Sequence, residues 1–92
     1  VLFFEHKYLY RRIKGVMPAG DHVVPIGRAR IAREGTDLTI ITYAATVWKA
    51  LETAETLAER DGLSVGVMDL RTLAPLDDAT IVARVKTTNR AL

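Results

Sequence analysis

Ninety-two residues, 49% of them hydrophobic and 26% charged, limit the chain to one small globular domain or pieces of two. The formal charge is only +2, and no stacking aromatics alternate with Arg28, Arg30 and Arg33, which argues against a nucleic-acid groove. The absence of cysteine excludes a disulfide framework and a thiolate metal site, and no apolar run approaches the length of a membrane span.

Val1 to Phe4 is a continuous apolar run, the pattern of a strand buried on both faces. It begins without an initiator Met or a basic leader, so the chain reads as a piece of a longer one. The run turns polar at Glu5-His6-Lys7, as at the carboxyl end of a parallel strand, where ligands approach open α/β sheets. Glu5 and His6 therefore stay open as ligand-facing residues, while Tyr8, Leu9 and Tyr10 are expected to pack the strand exit. From Lys14 to Arg33 the glycines and prolines break any period, and so long a stretch suits a passage between domains. Val23 to Ile26 should be extended. Arg28 to Ile31 could add a short strand, and Glu34 to Asp37 is a turn. His22 lies in the passage with no second histidine or nucleophile spaced to use it.

The centre of the chain is a βαβ unit, so the fold class is α/β, a parallel sheet with crossover helices. Leu38 to Tyr43 is β-branched and apolar. Ala45 to Asp61 carries Val47, Leu51, Ala54 and Ala58 at helical spacing, widened by Ala50, Leu57 and Trp48 at the stripe's edge. Gly62 suits a left-handed C′ position. Leu63 to Leu70 is the second strand, parallel to the first, and Gly66 within it would let a helix or another backbone approach closely. Pro75 forces a turn. Asp77 and Asp78 resemble a catalytic carboxylate pair, but an N-cap and a first-turn acid explain them better. The helix they open should turn Ile81, Val82 and Val85 inward and end near Thr87 to Asn89. Arg90 to Leu92 would begin a third strand.

Three strings, in order and in register, carry a family resemblance: Phe3-Phe4-Glu5-His6-Lys7-Tyr8-Leu9-Tyr10-Arg11, Val24-Pro25-Ile26-Gly27-Arg28-Ala29, and Asp69 to Asp77 (Asp-Leu-Arg-Thr-Leu-Ala-Pro-Leu-Asp). They resemble the beta subunits of thiamine-dependent 2-oxo acid dehydrogenases of the pyruvate, branched-chain and acetoin type. The resemblance implies residues 1–12 as the last strand and exit of a pyrimidine-binding domain. It makes 13–33 an interdomain linker and 34–92 the first half of a transketolase C-terminal-like domain.

By that resemblance the parent enzyme uses thiamine diphosphate and magnesium. Its partners are an alpha subunit, a second beta subunit and a lipoyl acyltransferase core. It works in the bacterial cytoplasm or the mitochondrial matrix, with no nucleic acid or membrane partner. None of the family's catalytic, cofactor-binding or metal residues maps onto this chain. Glu5, Lys7, Tyr10 and Arg11 match as supporting residues only, and the segment is expected to be inactive alone and to serve subunit assembly. A non-enzymatic interaction module is an alternative, as is a piece of another transketolase-type enzyme such as deoxyxylulose phosphate synthase. The chain departs from relatives in having Tyr43-Ala44 for Tyr-Gly, Val47-Trp48-Lys49-Ala50 for Val-His-Glu-Ala, and Gly15-Val16-Met17-Pro18 for Gly-Glu-Val-Pro. If the glycine of relatives marks a positive φ, Ala44 is strained.

Overall fold

The computed structural model describes every residue except Phe3. After a short 3₁₀ turn, Lys7–Leu9, the elements are β1 (Arg30–Arg33), β2 (Leu38–Thr42), α1 (Thr46–Asp61), β3 (Val65–Asp69) and α2 (Asp78–Thr88). The strands form one sheet in the order β1-β3-β2. β2 and β3 are parallel neighbours with Leu38 opposite Val65 and Thr42 opposite Asp69, as the hydrophobic pattern requires. Residues 90–92 lie along the free edge of β2. Thr39 and Ala91 form a parallel bridge, supported by hydrogen bonds from Thr39 N to Arg90 O and from Leu92 N to Thr39 O.

The sheet is mixed, because β1 runs antiparallel to β3. The short strand expected at Arg28 to Ile31 forms two residues later, at Arg30–Arg33. The shift has a cause upstream: the Ala29 amide is taken by the Asp77 carboxylate and cannot join the ladder. The register slips between Ile31 and Arg33, a bulge that helps to blunt this edge strand, as do the charges of Arg30 and Arg33.

Alternation along the strands divides the core between two faces. Val65 and Val67, with Leu38 and Ile40, pack under Val47, Ala50 and Ala54 of α1. Met68, fully buried, and Gly66 point to the opposite face, where α2 lies. On that face Thr39 meets Thr88 through a buried hydroxyl pair at 3.0 Å. Thr88 Oγ1 donates its own proton to Arg90 O at 2.9 Å, so Thr39 must be the donor of the pair.

α1 ends as its sequence demands. Gly62 is left-handed at φ 69°, and its amide donates to Ala58 O. Trp48 lies at the edge of the stripe, 42% exposed. The inward face of α2 differs from the expected one: Ile81 and Val85 are half-buried, but Val82 is 51% exposed. Arg84 and Thr88 take the positions beside Ile81 and Val85, because Gly66 leaves room for a guanidinium and Thr39 offers a polar partner.

Ala44 has φ 52°, the left-handed region that costs an alanine about 1 kcal/mol or more. Glycine there relieves that strain while losing about 0.5–1 kcal/mol in chain entropy. Ala44→Gly should therefore raise the thermal midpoint by roughly 2–4 °C, on the usual scaling for a domain of this size. A lower midpoint for the glycine variant would show that Ala44 is unstrained.

Candidate functional site

The residues held open at the amino end do not converge on a ligand site. Val1, Leu2 and Phe4 are exposed and outside any strand, contrary to the strand expected at Val1 to Phe4; Phe3 lies outside the described residues. Glu5 and His6 are exposed, and the His6 ring meets Tyr8 edge-on at 6.0 Å. Tyr8 and Tyr10 do not pack a strand exit. They are 53% and 62% exposed, and Tyr8 instead lies under the Arg12 guanidinium, 4.2 Å from the ring centre. Leu9 and Ile13 are the half-buried residues of this segment and line grooves against Trp48 of α1. His22 is exposed in the passage. Among the described residues no three His, Asp or Glu side chains gather as a metal site.

The polar residues that do converge lie between residues 27–29 and the loop after β3. Asp77 opens α2 as its N-cap, Oδ1 accepting from Thr80 N at 3.2 Å. Its Oδ2 accepts from the Thr80 hydroxyl at 2.8 Å and from the Ala29 amide at 2.9 Å, a partner 48 residues away. Beside it, the Gly27 amide donates to Thr72 Oγ1 at 3.0 Å. Gly27 has φ 77°, and a Cβ there would come within 3.0 Å of Pro75 Cγ, so glycine suits both the turn and the contact. The structure thus joins the second and third resemblance strings. Asp77 was legible as a helix cap; its hold on Ala29 was not, because local spacing carries no information about a partner so distant.

Asp77 is 7% exposed. The Ala29 N–H, and after it the Thr80 hydroxyl, hold its carboxyl below the ordinary carboxylate range, against an opposing push from burial. A depressed folded-state pKa adds stability that is complete above the ordinary carboxylate range and is lost as pH falls through the folded value. Asp77→Asn should therefore lower the thermal midpoint at pH 7. It should also flatten the loss of stability below about pH 4, the usual range for aspartate. The check is a melting series in acid, and a parallel pair of curves for the two proteins would remove Asp77 from the acid transition.

These features define a half-open α/β domain whose entering chain is fastened to its own loop. Residues 27–92 match the family model described as "Transketolase, C-terminal domain", beginning at the first clasped residue. The chain belongs to the transketolase C-terminal domain family. Across all 92 residues it is 53% identical to the 2-oxoisovalerate dehydrogenase subunit beta of Bacillus subtilis (strain 168). It is 48% identical to the pyruvate dehydrogenase E1 component subunit beta of the same organism and 46% to that of Staphylococcus aureus (strain N315). The chain spans 28% of the length of each of these relatives. A solved split-gene transketolase, an inactive beta4 tetramer, superposes with a TM-score of 0.73 at 30% identity, covering 86% of this chain and 26% of that one. No helix is long and apolar enough to cross a membrane among the described residues.

Proposed function

We propose that this chain is the linker and first half of the C-terminal domain in a 2-oxo acid dehydrogenase beta subunit, with residues 1–12 leaving a preceding pyrimidine-binding domain. The observation that carries the reading is identity of 46–53% over the whole chain, including the 26 residues ahead of the family model. Between the alternatives, two kinds of dehydrogenase beta subunit match more closely than the split-gene transketolase does. The parent enzyme would split carbon dioxide from pyruvate or a branched-chain 2-oxo acid and pass the acyl group to a lipoyl arm. Its alpha subunit, second beta subunit and acyltransferase core would be the partners.

This segment serves assembly. Tyr43, Trp48, Leu73, Leu76, Val82 and Leu92 are each at least 42% exposed, apolar surface that the other subunits of the parent enzyme would cover. Its own residues do not fit thiamine diphosphate. Such a site needs a free carboxylate for the aminopyrimidine and a metal-held pyrophosphate, and the one buried carboxylate among the described residues, Asp77, already accepts from Ala29 and twice from Thr80.

The test pairs a beta subunit containing this segment with an alpha subunit, thiamine diphosphate, magnesium and a lipoylated acceptor. Acyl transfer from pyruvate or 2-oxoisovalerate that requires both subunits is expected, and no transfer from either acid would sink the assignment. The 92-residue chain alone should show no saturable calorimetric response to thiamine diphosphate and magnesium, and should sediment as an oligomer. A saturable response would put cofactor contacts on this segment.

A further inference from the structure

We propose that residues 27–29 are clasped to the loop at 72–77, so that the preceding chain pivots around Gly15 to Gly20 rather than at the border of the domain. This rests on reading residues 13–33 as a passage between domains, but the clasp itself is a property of this chain. Two hydrogen bonds fix the border, Gly27 N to Thr72 Oγ1 and Ala29 N to Asp77 Oδ2. Pro75 closes over Gly27 between them.

Upstream the chain is held very differently. Val16, Met17 and Val23 are 98%, 86% and 81% exposed, and residues 14–24 take part in no backbone hydrogen bond among the described residues. A Cβ added at Gly15 or Gly20 would meet nothing within 4 Å, and Gly20 has φ 77°. A segment without buried contacts or backbone bonds opens at little cost, whereas one tied by side chains of the folded domain opens only with that domain or with loss of the ties. The passage therefore has a loose part, 14–24, and a fixed part that already belongs to the domain. Motion of an amino-terminal domain would be absorbed in the loose part, leaving β1 and its edge undisturbed.

Limited trypsin digestion reads this directly, because the Arg28–Ala29 bond carries the amide that Asp77 holds. In the wild-type chain cleavage after Lys14 should run at least about tenfold faster than cleavage after Arg28. Thr72→Val removes the Gly27 tie and leaves the α2 cap intact; Asp77→Asn weakens the Ala29 tie. Each should speed cleavage after Arg28 several-fold while leaving Lys14 unchanged and Lys49 and Arg60, inside α1, protected. Equal rates after Lys14 and Arg28 in the wild type would overturn the proposal. So would an unchanged Arg28 rate in both variants, or a matching rise at Lys49 in Thr72→Val, which would mean global opening. Failure of acyl transfer in the reconstituted enzyme, with this digestion pattern intact, would remove the parentage and leave the clasp.

Discussion

Gly35→Ala should destabilise the chain by about 3 kcal/mol or more, at or above the top of the usual range for overpacking. The reason is topological. β1 and β2 run in opposite directions and are joined by only four residues, yet they are not neighbours, because β3 lies between them. The turn at 34–37 must therefore cross the amino end of β3. Thr36 N and Asp37 N both donate to Ser64 O, and Asp37 Oδ2 accepts from Ser64 N at 2.7 Å, so the crossing is fastened on its far side. Gly35 is buried at the crossing point. A Cβ on it would lie 2.7 Å from Gly66 Cα and closer still to Gly66 N and the Val65 carbonyl carbon. All three are backbone atoms of the central strand and cannot swing aside. Gly66→Ala is the milder case: its nearest obstacle, at 2.8 Å, is Arg84 Nη2, a side-chain atom that can give way at the cost of its bond to Gly35 O, and the nearest backbone atom, Gly35 N, is 3.2 Å away. Urea unfolding of both variants should place Gly35→Ala below Gly66→Ala, and a midpoint for Gly35→Ala at or above that of Gly66→Ala would show that the turn can lift off β3.

The sequence was most informative where a period or a cap sets local structure. The helix stripe of α1, Gly62 at its end, the Asp77 cap and the βαβ pairing all follow from residues close to one another in the chain. The strand start expected at Arg90 to Leu92 takes the form of a single parallel bridge, Thr39 to Ala91, along β2. What escaped were features made by distant residues. The insertion of β3 between β1 and β2 depends on a turn that looks ordinary in sequence. Gly66 read as a place where the crossover helix or a neighbouring backbone comes close; the backbone of residues 33–35 does, and what escaped was the Arg84 side chain that joins it there. Val82 read as apolar and inward; its exposure follows from the polar pairings of Arg84 and Thr88, which turn α2 about its axis. The clasp of Ala29 by Asp77 shows the same limit.

Arg84→Met should cost about 2 kcal/mol, whereas Glu34→Gln should cost less than about 0.5 kcal/mol, although the two side chains form one ion pair. The Arg84 side chain is 11% exposed and that of Glu34 77%, so the pair is buried at only one end. Losing the Glu34 charge leaves a guanidinium that still donates to Gly35 O at 2.7 Å. The carboxylate it loses was largely in solvent, where an ion pair contributes little. Losing the guanidinium removes the donor from the carbonyl of a buried glycine at the strand crossing. Methionine restores the apolar volume of the arginine stem but not that bond. A charge-assisted hydrogen bond of this kind contributes about 1.5–3 kcal/mol, and leaving its acceptor buried forfeits that contribution. The buried Nε has no partner among the described residues, so the guanidinium's net worth falls toward the lower part of that range. Thermal unfolding at matched concentration and in high salt separates the two contributions. Salt should shrink the small Glu34→Gln effect and leave the Arg84→Met effect nearly unchanged. Equal losses in the two variants would mean that the surface ion pair, and not the bond to Gly35, holds α2 against the turn.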